Sequence, residues 1–263
     1  MIAVLKHELS GYFHSLTAYI FGAFLLAFVG IGAMIYNIQQ AVANFEYVLS
    51  FVSLIFVVLV PILTMRVMAE ERKQKTDQLL YSLPITATQV VLGKYLALLA
   101  VYFIPLCIVS AYPWIFSQYG EVYLLTSYGS IAAFFIMGAA LISIGMFVSS
   151  LTENLGFAAG ITIPVLLLNY YSVSLAEHVS STALGSAVAL WIICCLLGAV
   201  IHLMTKNEGL AYIVSFVLIV AVGVSYFIKP ELFESLLPEL MKKLSLFERF
   251  YTFVSGVFDL TSI

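Results

Sequence analysis

Side chains able to exchange protons, attack carbonyls or hold metals are scarce in this chain of 263 residues, and most sit at the ends of apolar runs. The densest group is Arg66, Glu70, Glu71, Arg72, Lys73, Lys75 and Asp77, a mixed-charge segment suited to docking against another surface. His202 falls in the last turn of an apolar run near Lys206, a place for an interfacial or helix-capping histidine rather than a proton relay. Cys107, Cys194 and Cys195 lie inside apolar runs, with the spacing of neither a disulfide framework nor a zinc site. Gly93-Lys94 follows Val90-Val91-Leu92 without the glycine-rich loop that cradles phosphates. The apolar runs hold no carboxylate for a metal and no Ser/His/Asp arrangement. Catalytic, cofactor-binding and metal-ligating residues are therefore not expected. An ATPase, if there is one, is a separate chain, and the energy for any work on a substrate enters from outside the membrane.

The elements that carry these residues are membrane helices. The chain is 63% hydrophobic and 10% charged, with a mean hydropathy of +1.08, against roughly 45–50% and 25% in soluble domains. Seven crossings of about 20 residues each would use about 140 positions, which leaves no room for a large separate soluble domain. Apolar spans are expected at 16–37, 48–68, 91–116, 127–149, 155–171, 183–204 and 210–228, each free of Lys, Arg, Asp and Glu except at its ends. Alternating β-barrel patterning is absent, so the fold class is an all-α polytopic membrane protein. Arg66 and Lys94 fall near span ends, where long side chains are expected to snorkel to the interface. With a net charge of -3 nothing suggests a nucleic-acid partner. Lys6, Arg66, Arg72, Lys73, Lys75, Lys94 and Lys206 share one side if the spans alternate, which makes the N-terminus cytoplasmic. Glu46, Glu121 and Glu177 then mark the outer loops.

The connecting segments are as informative as the spans. Residues 1–15 place Ile2, Leu5, Leu9, Tyr12 and Phe13 at helical spacing among Lys6, His7, Glu8 and His14, the pattern of an interfacial helix. No cleaved signal peptide is expected there. After the charged segment, Leu79, Leu80 and Leu83 form an apolar edge that Pro84 stops. Thr86 and Gln89 form a T-x-x-Q capping box, so the next helix should begin near Ala87 and run on as the third span. Residues 69–83 thus read as a short cytoplasmic helix rigidly joined to a membrane helix. Gly156-x-x-x-Gly160 allows close helix packing, within the chain or between copies. Residues 229–263 carry apolar positions at helical intervals and read as an amphipathic outer segment on or dipping into the leaflet. The whole of 1–263 is expected to be one membrane domain.

Pro61-x-x-Thr64-Met65-Arg66, Glu70-Glu71-Arg72-Lys73-Gln74-x-Thr76-x-x-Leu79-Leu80, Ser82-Leu83-Pro84-Ile85 and Leu92-Gly93-Lys94 closely resemble the ABC-2 class of ABC exporter permeases, with the gliding-motility-type branch the nearest match. The resemblance covers residues 1 to about 170, including Lys6, Glu8 and the Leu151-Thr152-Glu153-Asn154 turn, and Ser245 to Phe250 and Gly256 to Leu260 are similar to the family's outer segment. It implies a non-catalytic permease subunit in the cytoplasmic membrane of a bacterium, in a homo- or heterodimer of permeases. Each permease would engage an ABC ATP-binding subunit that holds ATP and Mg. By the same resemblance Glu70, Glu71, Arg72, Lys73, Thr76, Leu79, Leu80, Leu83 and Pro84 couple the ATPase to the membrane, with the N-terminal helix lying beside them. Three departures stand out. The family pattern at 75–78 is usually Gly-Thr-Leu-Glu, whereas this chain has Lys75-Thr76-Asp77-Gln78. Residues 183–228 add two spans, and Ile263 falls where an eighth, final helix would follow.

Two other classes compete. A mechanical or signalling unit would pass ATP-driven motion to an extracytoplasmic auxiliary protein through the 229–263 segment, without flux. A membrane enzyme is suggested by Glu70-Glu71, which resembles the paired glutamates of intramembrane prenyl-protein proteases, but that family needs Arg where this chain has Lys75, and matching histidines are lacking.

Overall fold

The structure, a computed structural model, describes residues 2–76, 86–179, 182–205 and 208–255. All regular structure among them is helical, because a bilayer offers backbone amides no partner and each segment must satisfy its own. Helix α1 (Ile2–His14) passes through the extended residue Ser15 into α2 (Leu16–Ala33), which winds on as a π-helical turn, Met34–Gln39. Then follow α3 (Glu46–Thr64), the short α4 (Ala69–Gln74), α5 (Ala87–Val109), α6 (Ala111–Phe116), α7 (Leu124–Leu151) and α8 (Leu155–Tyr170). The remainder comprises α9 (Ser172–His178), α10 (Ala183–Thr205), α11 (Glu208–Ile228), a 3-10 turn at Pro230–Phe233, α12 (Leu236–Leu244) and α13 (Leu246–Val254).

Among the described residues, five helical stretches are long and apolar enough to cross a membrane, and two broken pairs raise the number to seven if each is one span. The broken pairs are the spans expected at 155–171 and 210–228. Helix α8 has 16 residues, about 24 Å at the usual rise, and falls short of a hydrocarbon core of about 30 Å. The stretch Tyr212–Ile228 bends by 119° into Pro230–Leu244, at a point where Pro230 cannot donate the next helical hydrogen bond.

The helices form two compact units, Met1–Tyr170 with Leu246–Ile263, and Tyr171–Ser245. In the first, α2, α3, α5, α7 and α8 enclose a core built on Leu25, Phe56, Tyr102, Phe134, Leu141 and Leu166. Tyr102 is central: its hydroxyl donates to the Phe134 carbonyl at 2.8 Å, and its ring lies 5.1 Å from that of Phe56. Such tilted aromatic contacts add about 0.5–1.5 kcal/mol each beyond area burial. Small residues let the helices approach. A Cβ at Gly138 would collide with the Tyr102 ring, and one at Gly145 with the Thr64 side chain.

The tail helix α13 belongs to this unit. Its amphipathic face was expected against the leaflet, but Phe247, Phe250 and Phe253 are buried in the bundle instead. Tyr251 Oη and Ser53 Oγ share a hydrogen bond of 2.9 Å, and the Leu246 amide donates to Asn169 Oδ1 at 3.1 Å. Bundle aromatics such as Phe134, whose ring lies 5.6 Å from that of Phe250, offer a better partner than lipid. In the second unit α10 packs along α11 and α9 against α12, with the 3-10 turn pinned by an edge-to-face contact of Phe233 on Tyr226.

Glycine at 138 is therefore a packing requirement. Gly138→Ala should destabilise the purified protein by about 1–3 kcal/mol, the usual penalty of overpacking, because the buried, hydrogen-bonded Tyr102 cannot swing away. Gly22→Ala, which meets nothing within 4 Å, is the control. Detergent thermal melts should show a lower midpoint for the first and none for the second; equal midpoints would remove the packing role.

Candidate coupling site

Helix α4 stands where α3 runs out of apolar residues, and its N-terminus is held by a side chain from another helix. Ser149 Oγ, near the end of α7, accepts from the Met68 and Ala69 amides at 3.3 and 3.2 Å and donates to the Met65 carbonyl at 3.1 Å. It thereby satisfies two of the amides that any helix start leaves free. Glu70 and Glu71 lie in the first turn and Arg72 and Lys73 in the last, the order the helix dipole favours. The helix ends at Lys75, whose φ of 57° is left-handed, with the Thr76 amide bonded back to the Glu71 carbonyl at 3.0 Å. Glycine is the natural residue for that conformation.

Beyond the end of α3, Arg66 makes a bidentate pair with Glu70: Nε donates to Oε2 at 2.8 Å and Nη2 to Oε1 at 3.0 Å. Its third nitrogen, Nη1, donates to Thr17 Oγ1 on α2 at 3.0 Å. The hydrogen bonds from Arg66 hold the Glu70 carboxyl below its ordinary value, against the opposing effect of burial.

Lys94 occupies the third turn of α5 and is only 1% exposed. Its ammonium donates to Glu8 Oε1 on α1 at 2.9 Å, to the Val67 carbonyl at 3.1 Å and to Glu71 Oε1 on α4 at 2.5 Å. A lysine has three donors, and all three are used. Snorkelling was expected of Lys94; the structure turns it inward, because two carboxylates and a carbonyl at the bundle's end replace the water it would otherwise seek. These groups border a cleft of about 740 Å³ lined also by His7, Tyr12 and Thr17. Burial, with the Glu8 charge adding to it, raises the Tyr12 hydroxyl above its ordinary value.

Of the residues expected to couple, Glu70, Glu71, Arg72, Lys73 and Thr76 are on or just after α4, with Arg72 and Lys73 exposed. Leu79, Leu80, Leu83 and Pro84 lie outside the described residues. The capping box is present as expected: Thr86 Oγ1 accepts from the Gln89 amide at 3.3 Å, Gln89 Oε1 accepts from the Thr86 amide at 3.4 Å, and α5 starts at Ala87. Helix α8 turns Ala158, Thr162 and Leu166 inward, whereas Gly156 and Gly160 are exposed and Gly160 has open space beyond it. The inward contacts of Lys94 with Glu8, of Arg66 with Thr17, and of Ser149 with α4 were not anticipated. One signal was available: a lysine two turns inside an apolar helix needs an anionic partner. Glu46, read as an outer-loop residue, is in fact 2% exposed and accepts from Ser127 Oγ at 3.0 Å.

Among the described residues no group of three or more His, Cys, Asp or Glu is placed to hold a metal ion. What the geometry does is tie a charged, outward-facing helix to four others through partly buried ion pairs and a serine. A family model described as an ABC-2 family transporter protein matches residues 5–184. The chain belongs to the ABC-2 transporter family. No curated protein and no solved structure matches it. ABC-2 permeases are membrane components of transporters that normally pair with an ATP-binding subunit and dimerise. In this ABC-2 permease the matched segment contains Glu8, Thr17, Arg66, α4, Lys94 and Ser149, the whole of the cluster.

The left-handed Lys75 leads to a testable consequence. Lys75→Gly should relieve the Cβ strain and stabilise the end of α4 by up to about 1 kcal/mol. Hydrogen exchange at the Lys75 and Thr76 amides should slow; unchanged or faster exchange would show that the turn is not limiting.

Proposed function

We propose that this ABC-2 permease is the membrane subunit of an exporter driven by a separate ATP-binding subunit, and that the segment from Glu70 to Leu80 is where that subunit docks. The observation that carries this reading is α4 itself. It presents Arg72 and Lys73 outward while its other side is anchored to membrane helices through Ser149, Arg66 and Lys94. A partner that grips the outward face can move the bundle; a loosely held loop would absorb the motion. ATP and Mg are held by the partner, since the chain lacks a phosphate-binding loop. The same segment supports the finer assignment to the gliding-motility-type branch, and the excess of Lys and Arg at this end supports a cytoplasmic location for it. The transported substrate is a molecule expelled across the cytoplasmic membrane.

The purified chain should hydrolyse no ATP by itself. Measurable turnover from a preparation free of the ATP-binding subunit would overturn the division of labour. Joint replacement Leu79→Ala and Leu80→Ala should remove apolar contact worth about 1–3 kcal/mol if both seat in the partner, a fall in affinity of roughly 5- to 150-fold. Copurification of the ATP-binding subunit and ATPase activity of the assembled complex are the measurements. Wild-type levels of both, with normal expression, would reduce the segment to a loop that only sets topology.

A further inference from the structure

Helices α1 and α4 share no packed face. Helix α1 lies along α5 and α2, whereas α4 rests against α7 and α8, and the cleft bordered by His7, Glu8, Glu70 and Glu71 separates them. Among the described residues, the hydrogen bonds that join α1 to α4 all run through the Lys94 ammonium, which holds Glu8 on one side and Glu71 on the other. Both contacts are partly buried, with Lys94 1% and its two partners 17% and 25% exposed, so they are screened less by salt than surface pairs. Beyond α1 the chain needs a single extended residue, Ser15, to enter α2, and Ser15 is fastened back to the α1 carbonyls of Gly11 and Tyr12. A displacement of α1 is therefore delivered to the first membrane span.

We propose that Lys94 is a positioning residue that carries movement of α4 to α1 and onward to α2. The proposal rests on the reading that an ATP-binding subunit moves α4, and it adds a second route beside the backbone. Movement can reach α3 along the chain, α2 through Arg66 and Thr17 and α5 through Glu71 and Lys94, but α1 lies at the other end of the sequence and receives it through Glu71, Lys94 and Glu8. Two carboxylates on one ammonium suit this task. Each anchors a different helix, and loss of either disconnects one side while leaving the other paired.

The test uses the complex of the full chain with its ATP-binding subunit, with Cys107, Cys194 and Cys195 replaced by Ser. Spin labels at Lys6→Cys on α1 and Phe147→Cys on α7 report movement of α1; labels at Val91→Cys and Phe147→Cys report movement of α5. Distances are compared between ADP and ATP with vanadate. The expected result is a nucleotide-dependent change at both pairs in the parent. Glu8→Ala should abolish the α1 change and keep that of α5, Lys94→Met should abolish the α1 change, and Lys94→Arg should preserve it. Copurification should stay at parental levels in all three, because the outward face of α4 is untouched.

A merely structural lysine would not separate α1 from α5 in Glu8→Ala. Persistence of the α1 change in Glu8→Ala or Lys94→Met overturns the proposal, as does a parent complex that assembles and shows no α1 change. Should Lys94→Met fail to fold, Glu8→Ala decides alone, since Glu8 is partly exposed and Glu71 keeps the ammonium paired. Failure of the parent chain to copurify with the ATP-binding subunit overturns the docking reading and this proposal together, and is distinct from the outcomes above.

Discussion

An ammonium withdrawn from water must recover its hydrogen bonds from the protein, and Lys94 recovers all of its own from three separate pieces of chain: α1, the turn between α3 and α4, and α4. Much of the organisation of this end of the molecule follows from that requirement. The α3–α4 junction has to bring the Val67 carbonyl and Glu71 to one point, which the Ser149 cap on the start of α4 enforces. Helix α1 has to lie along α5 for Glu8 to reach. Arg66 and Glu70 repeat the arrangement one turn away, with Thr17 drawing in α2. Losing the ammonium would leave two partly buried carboxylates without their cation, whereas losing either carboxylate leaves the ammonium paired with the other. The cluster is thus a constraint on geometry more than a source of net stability.

The rest of the first unit is organised by close packing. Lipid is as apolar as leucine, so helices in a membrane gain from fit rather than from leaving water. Gly138 against Tyr102 and Gly145 against Thr64 place α7 close to α5 and α3, and aromatic rings fill the centre. At the end opposite the ion pairs, the polar groups are few and specific. Glu46 takes a hydrogen bond from Ser127, and Tyr251 of α13 meets Ser53. A stiff bundle with a polar joint at one end is a body that can transmit a push, which suits the transporter family to which the chain belongs.

The family match ends at residue 184, at the start of α10. The second unit, α9 to α12, is therefore mostly outside it. Its outward residues are large and apolar, including Leu196, Phe216 and Phe227, as lipid contact requires.

Composition and periodicity by themselves determined that this is a helical membrane protein, where α2, α3, α5, α7 and α10 lie, and that one short charged segment interrupts them, because crossing hydrocarbon demands about 20 apolar residues in a row. The Thr86/Gln89 cap was equally legible, since a capping box is local and its bonds span three residues. Contacts between distant positions were not. Lys94 is 86 residues from Glu8 and Ser149 is 80 from Ala69, and a charge near a span end is compatible with either the interface or a buried partner until packing decides. The same holds for α13, whose amphipathic pattern fits a leaflet and a bundle equally well; Phe134, Tyr170 and Asn169, brought together by folding, made the bundle the better partner.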